Sequence, residues 1–163
     1  ARFGVPVYVC SANWSKDLII GALEGFSAVK AVDSADLVYD ARTGLSTGII
    51  QRNIVSAFDK QTAFRRLKNE HQQGWSVYIG DGQPDCLGVV EADLGIVVGS
   101  SSSMRTALEL MDEGLTVATG SSDDDAGLSL LMPEDSATID LGEDALPWAT
   151  INRLIFPAEK PFR

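Results

Sequence analysis

Short apolar runs recur along the chain and give its strongest structural signal. Four of them, at residues 5–11, 76–81, 94–101 and 115–122, are rich in Val or Ile and end in Ser, Asp or Gly. Continuous apolar runs of this length are typical of strands that helices cover on both faces. The pattern therefore predicts four buried parallel strands.

Helical stretches with start and stop signals separate these runs. Such alternation is typical of an open α/β sheet, whose ligands bind beyond the carboxyl ends of the strands. Because those ends carry Ser11, Asp81 and Ser100 here, we expect the functional site at that edge. The predicted helices run from a Ser15 cap to Phe26, from an Asp59 cap through 60–73, from Pro84 to Ala92, from a Ser103 cap through 104–113, and over 147–155.

Residues 36–52 break this alternation. Two short strand-like pieces flank residues 42–46, whose sequence Arg-Thr-Gly-Leu-Ser contains the residue types that favour turns. This stretch therefore predicts a β-hairpin.

Composition and charge narrow the classes of partner. A chain of 163 residues with 45% apolar residues fits one globular domain. Its net charge of −10 argues against nucleic acid as a partner, because phosphate backbones are bound by clusters of Lys and Arg. No apolar run approaches the roughly 18 residues of a membrane span. The two cysteines do not make a disulfide framework. We therefore expect a soluble intracellular protein, and an organelle such as the mitochondrion or plastid stays open.

The sequence GDGQPD at residues 80–85 has the features of a magnesium site. Asp81 ends an apolar run, and Asp85 falls in the first turn of the next predicted helix, from where it can point back to the same space. Magnesium prefers hard oxygen ligands, and one or two carboxylates plus a phosphate oxygen and waters complete its shell. The alternative is that Asp81 is a turn residue and Asp85 a helix N-terminal residue favoured by the dipole.

Two further residues have side chains suited to phosphate. Ser11 ends the first predicted strand, just before the helix that Ser15 opens, where hydroxyl and backbone N–H groups can hold a phosphate oxygen. Lys60 lies at the start of a predicted helix, a position that mildly disfavours a cation and so indicates another purpose. The alternatives are a turn-forming serine and a solvated surface lysine.

Taken together, these residues resemble the haloacid dehalogenase-like (HAD) phosphatase superfamily. Members of that family have a Ser or Thr at the end of the second strand, then a Lys, then an acidic motif of the GDxxxD type. Ser11, Lys60, Asp81 and Asp85 follow this order within residues 5–99. The fold that the resemblance implies is α/β and Rossmann-like, an open and mostly parallel sheet with helices on both faces and a β-hairpin.

Two other segments narrow the resemblance within the family. The sequence LSTGII at residues 45–50 is similar to the hairpin of phosphoserine-phosphatase-like members. The sequence SSSSMR at residues 100–105 is similar to the phosphatase domains of plant bifunctional thiamine-phosphate phosphatase/aminopyrimidine hydrolases. The resemblance thus implies a small phosphorylated substrate, such as thiamine monophosphate.

The resemblance also implies a role for each candidate residue. The family transfers a phosphoryl group to an aspartate with the help of magnesium (Mg2+). Ser11 would orient a phosphate oxygen, and Lys60 would stabilise the charge of the transferring group. Asp81 would be a metal ligand, and Asp85 would bind the metal directly, bind it through water, or orient Lys60.

The first family motif, DxDx(T/V), is absent from the chain. Residues 123–125, 140–142 and 36–38 contain aspartates but lack either the second aspartate or a suitable preceding strand. In the family this motif ends a central strand between the strands predicted at 5–11 and 76–81. An unpaired buried backbone group costs about 1–3 kcal/mol, so we expect another segment to fill the gap. It would be an upstream part of the same product or a separate chain.

The sequence thus predicts that residues 1–163 are the C-terminal part of a HAD-like core domain, without its first strand and without a cap. The predicted function is that of a magnesium-dependent phosphatase, inactive as this chain alone because the nucleophile is missing. The alternative is a catalytically inactive HAD-like subunit with a structural or interaction role in a larger assembly. A nucleotide-binding Rossmann domain is a weaker alternative, because no GxGxxG follows a strand.

Overall fold

The computed structural model describes residues 5–71, 74–99, 101–111, 115–120 and 128–133. The chain divides into two compact units, Ala1–Glu70 and His71–Arg163. Strands and helices alternate in both, so the α/β class is confirmed. No helix within the described ranges has the length and apolar character that crossing a membrane requires.

The first unit contains two small sheets and two helices. Strands β1 and β2 pair in parallel, with Ser11 opposite Ser34 at their ends. Strands β3 and β4 pair antiparallel and form the predicted hairpin. The elements are β1 Val7–Ser11, α1 Lys16–Ala22, β2 Val29–Ser34, β3 Asp36–Tyr39, β4 Ser46–Gln51 and α2 Ala57–Glu70.

The hairpin turn is built by one aspartate. The Asp40 carboxylate accepts hydrogen bonds from the backbone N–H groups of Arg42 and Thr43 and from the Thr43 hydroxyl. These bonds, led by the one from the Thr43 backbone, lower the pKa of Asp40. Gly44 completes the turn with φ of 68°, a left-handed conformation that suits glycine.

Of the four predicted helix starts within the described residues, one is right and two are wrong, while the helix predicted from Pro84 begins at Cys86, after a 3-10 turn that contains Pro84. Ser15 caps α1 as predicted, since its hydroxyl accepts the N–H of Leu18. Asp59 does not cap α2. It lies inside the first turn and accepts the N–H of Ser56, while the Ser56 hydroxyl accepts the N–H of Asp59, which is a reciprocal capping box. In the second unit Ser101 rather than Ser103 caps its helix, by accepting the N–H of Met104.

The second unit contains one four-stranded sheet in the order β5-β6-β8-β7. The β5–β6 pair is parallel, and β8 pairs antiparallel with both β6 and β7. Among the described strands the pairing is therefore mixed rather than mostly parallel. The elements are β5 Val77–Gly80, a 3-10 turn Gln83–Asp85, α3 Cys86–Glu91, β6 Leu94–Val98, α4 Ser102–Leu110, β7 Leu115–Gly120 and β8 Leu128–Pro133.

Two strands, β2 and β8, were not predicted. The sequence of β2, VKAVDS, places charged residues between apolar ones, and its exposure alternates irregularly. A search for continuous apolar runs passes over such a strand. The strand predicted at 115–122 is present as β7, but it is not parallel as predicted, because it pairs antiparallel with β8, which lies between it and β6. The predicted helix at 147–155 lies outside the described residues.

Burial of the apolar runs is uneven. In β6, residues 94–97 are all buried, as predicted. In contrast, Val7 of β1 is 43% exposed and Ile79 of β5 is 44% exposed. Among the described strands, β1 pairs only with β2 and β5 pairs only with β6. Each of these two apolar strands therefore has one side without a described neighbour.

Candidate functional site

The turn after β5 places two carboxylates in opposite environments. β5 ends at Gly80, Asp81 follows in an exposed position, and the 3-10 turn leads to Asp85 at the start of α3. Asp85 is only 6% exposed. A buried carboxylate is costly unless it is hydrogen-bonded or neutralised by a cation, so the position of Asp85 calls for a specific partner.

One partner of Asp85 is the hydroxyl of Tyr78. It donates a hydrogen bond to Asp85 Oδ1 at 3.0 Å, and both groups are buried. Tyr78 and Gly80 are two residues apart in β5 and so face the same side of the sheet. Tyr78 was not among the predicted site residues, although the sequence shows that it lies two residues before Gly80 in the predicted strand.

Two glycines allow the close packing around this pair. A Cβ atom on Gly80 would lie 2.3 Å from Asp85 Cβ, and a Cβ atom on Gly88 would lie 2.4 Å from Tyr78 Cε2. Real Cβ contacts are essentially never that short. The group that lies directly against Gly80 is the side chain of Asp85.

Cys86 follows Asp85 directly and is 4% exposed. Burial, and to a lesser extent the negative charge of Asp85, raise the pKa of the Cys86 thiol. A thiol with a raised pKa carries little thiolate at neutral pH and is a poor nucleophile. Cys86 is therefore a packing residue in this unit.

Ser11 lies in the first unit, at the end of β1 and in front of α1. Its hydroxyl oxygen accepts the N–H of Asn13 at 3.1 Å, and Asn13 Oδ1 accepts the N–H of Ser15 at 2.9 Å. This turn fixes the oxygen of Ser11, while the hydroxyl proton keeps the ability to donate to an anion. Ser11 is partly exposed, so a ligand can reach it.

Lys60 lies in the first turn of α2 and is 8% exposed. The interpretation as a solvated surface lysine is therefore wrong. Its neighbour one turn on, Ala63, is also buried, so both lie on the inward face of the helix. Helix α2 packs against β1, the strand that carries Ser11. The elements that carry Ser11 and Lys60 are thus brought together in the first unit, and Asp81 and Asp85 share one turn in the second.

A cavity of about 430 Å³ lies beside the acidic turn in the second unit. It opens between the 3-10 turn and α4, beyond the carboxyl ends of β5 and β6. Both polar and apolar side chains line it, and none of the lining side chains is charged. The lining residues are Gln83, Cys86, Ser102, Ser103, Thr106, Ala107, Leu110 and Met111.

The donor set of the acidic turn fits a magnesium ion. The described residues contain no cluster of three or more His, Cys, Asp or Glu side chains that would hold a metal by itself. Magnesium does not need one, because it keeps several waters and uses one or two carboxylates with substrate phosphate. The cradle formed at Gly80 sets the Asp85 carboxylate in place, and Asp81 adds an accessible second carboxylate.

Comparison with known proteins gives one partial relative. The bifunctional TH2 protein, mitochondrial, of Arabidopsis thaliana is 39% identical to this chain over 110 residues, which is 64% of the chain. The matched segment spans only 18% of the length of that protein. No protein-family model and no solved structure matches the chain.

Proposed function

We propose that this chain is the larger part of a magnesium-dependent phosphatase of the HAD type. The observation that carries the proposal is the acidic turn after β5, where buried Asp85 and exposed Asp81 stand at the carboxyl end of a parallel strand. Parallel α/β sheets bind their ligands at that edge. The order of the candidate residues, which resembles that of the HAD superfamily, and the 39% identity to the Arabidopsis protein support the same family.

A strand from outside these residues completes the proposed site. In the second unit, β5 lacks a second neighbour among the described strands, and its Ile79 is exposed. An open apolar edge is a hazard that folded proteins normally cover. The proposed cover is the strand that ends in DxDx(T/V). It would come from another part of the natural polypeptide or from a partner chain, and it would supply the nucleophile and the general acid–base.

The proposed reaction has two steps. The first aspartate of the motif on the added strand attacks phosphorus, the bond from phosphorus to the ester oxygen breaks, and that oxygen takes up a proton from the second aspartate of the motif. Water then attacks phosphorus and gives a proton back to the second aspartate, the bond from phosphorus to the first aspartate breaks, and inorganic phosphate leaves. Magnesium, when bound, supplies charge compensation for the phosphoryl oxygens.

The residues of this chain hold the phosphate and the cation in that scheme. Ser11 donates its hydroxyl proton to a phosphate oxygen, and the Lys60 ammonium offsets the negative charge that collects during transfer. Asp81 would be a direct ligand of the cation, and Asp85 would bind it directly or through water. The burial of Lys60 supports this role, because electrostatic interactions are stronger away from bulk water.

The proposed substrate is a small phosphomonoester such as thiamine monophosphate. The cavity beside the acidic turn is large enough for a small leaving group, and its uncharged lining favours a moiety that combines apolar surface with hydrogen-bonding atoms. The likeness of residues 100–105 to the plant thiamine-phosphate phosphatases favours this substrate, since Ser102 and Ser103 line the cavity. The Arabidopsis relative is named as a mitochondrial protein, which favours a mitochondrial location for this chain.

Phosphate release by the natural polypeptide that contains these residues tests the proposal. Hydrolysis of p-nitrophenyl phosphate and thiamine monophosphate would be followed with magnesium and with EDTA. The proposal predicts activity that EDTA removes and that Asp81→Asn reduces by at least about 10²-fold, the scale of a lost electrostatic contact to the transition state. Activity that survives both EDTA and Asp81→Asn would contradict it.

The second candidate function is a non-enzymatic one. The absence of DxDx(T/V) from all 163 residues favours a HAD-like subunit that contributes to a larger assembly without catalysis. Peptide mass spectra of the purified natural protein separate the two. A strand with DxDx(T/V), upstream or on a co-purifying chain, supports the enzyme, and a complete assembly without that motif supports the structural role.

A further inference from the structure

Tyr78 is a buried residue for which the proposed reaction scheme has no role. It is 8% exposed and lies in β5 with its hydroxyl 3.0 Å from Asp85 Oδ1. A tyrosine that only fills the core of this unit would not need its hydroxyl, and phenylalanine would pack equally well. The hydroxyl instead reaches one of the two carboxylates of the acidic turn.

The ring of Tyr78 is held so that its hydroxyl has little freedom. A Cβ atom on Gly88 would lie 2.4, 2.6 and 2.8 Å from three carbon atoms of the ring, so the backbone of α3 lies directly against it. On the same side of β5, Gly80 leaves room for the Asp85 side chain. Since neither the ring nor the carboxylate can shift far, the hydrogen bond between them is set by packing.

We propose that Tyr78 is a positioning residue that orients the Asp85 carboxylate for the cation. The proposal rests on the proposed function. The hydrogen bond from Tyr78 to Oδ1 restricts rotation of the Asp85 carboxylate and so fixes the direction from which a cation or one of its waters would meet it. Groups that hold metal-binding carboxylates in this way commonly change metal affinity by about 10- to 100-fold when they are removed.

Metal binding by Tyr78→Phe tests the proposal directly. The variant keeps the ring and removes only the donor. Binding of Mn²⁺ to the natural polypeptide would be measured from the EPR signal of the free ion, and binding of Mg²⁺ by calorimetry. We expect dissociation constants about tenfold higher than those of the unaltered protein. Tyr39→Phe on the exposed hairpin is the matched control and should leave them unchanged.

A second variant separates positioning from packing. In an Asp85→Asn background, Tyr78→Phe should have no further effect on the dissociation constants, because the carboxylate it orients is gone. Unchanged metal binding in Tyr78→Phe, or the same loss in both backgrounds, would overturn the proposal even if the melting temperature falls. An unaltered protein that binds metal but hydrolyses no phosphomonoester would contradict the proposed function, while the metal data would still decide the role of Tyr78.

Discussion

Replacing Gly80 by alanine gives a sharp test of how the acidic turn is packed. The added Cβ atom would lie 2.3 Å from Asp85 Cβ and 2.7 Å from Asp85 Cγ, whereas ordinary contacts begin at 3.4 Å. The Asp85 side chain, or the turn that carries it, must therefore move away from residue 80 by about 1 Å. The closest contact is with Asp85 Cβ, the first atom of a buried side chain. A change of rotamer does not move a Cβ atom, so it cannot relieve this clash.

The cost of that retreat has two parts. Overpacking a well-filled site costs about 1–3 kcal/mol. A 1 Å shift also stretches the 3.0 Å hydrogen bond from Tyr78 beyond useful length, and losing a hydrogen bond to a charged group costs about 1.5–3 kcal/mol. We expect a loss of roughly 2.5–6 kcal/mol in unfolding free energy, or about 5–24 °C in melting temperature for a domain of this size.

Thermal unfolding of the natural polypeptide checks this value, and Gly82→Ala is the matched control. Gly82 lies two residues on in the same turn, its φ is −139°, and an added Cβ would meet only Pro84 Cδ at 3.5 Å. The control should melt within about 2 °C of the unaltered protein, in the range of a substitution without a clash. Equal melting temperatures for Gly80→Ala and Gly82→Ala would refute the packing described for Asp85.

Three further predictions concern the cavity, the thiol and the hairpin. Thr106→Trp fills the cavity beside the acidic turn and should raise KM about tenfold or more with little change in kcat. The control Arg105→Trp, on the same helix but outside the cavity lining, should leave KM unchanged. Equal effects of the two variants on KM would contradict a leaving-group site in the cavity. Burial and a raised pKa should make Cys86 react with iodoacetamide far more slowly in native protein than in urea, and equal rates would contradict its burial. Because its pKa is lowered in the folded protein, the ionised Asp40 carboxylate stabilises the fold fully above its ordinary pKa of 3.8. This stabilisation is lost as the pH falls through the lowered pKa. Asp40→Asn should therefore melt earlier than the unaltered protein at neutral pH but not in strong acid, and a difference that persists in acid would contradict this.

The sequence predicted the elements whose signals are local. The hairpin at 36–52 and the Ser15 cap are both present, because turn residues and N-cap hydroxyls act within a few residues of themselves. The Asp59 cap was wrong for an instructive reason. Ser and Asp three residues apart can each cap a helix, and only the reciprocal bonds of the capping box place the start at Ser56.

Features that depend on tertiary contacts were harder to predict. Strand β2 has charged residues within it and is recognisable only from its parallel pairing with β1. Lys60 resembles any polar residue on a helix, and only packing reveals that it is buried. Tyr78 lies in a run that predicts a strand, but the contact of its hydroxyl with Asp85 follows from the close approach that Gly80 and Gly88 allow.

We propose that residues of this chain hold the phosphate and the cation, and that the nucleophile comes from a segment outside the chain. The natural protein would be incubated with magnesium and substrate, quenched, and reduced with borohydride, which converts an aspartyl phosphate to homoserine. Peptide mass spectra then locate the modified residue. We expect homoserine in a DxDx(T/V) segment outside Ala1–Arg163. Homoserine in place of any aspartate within these 163 residues would contradict it.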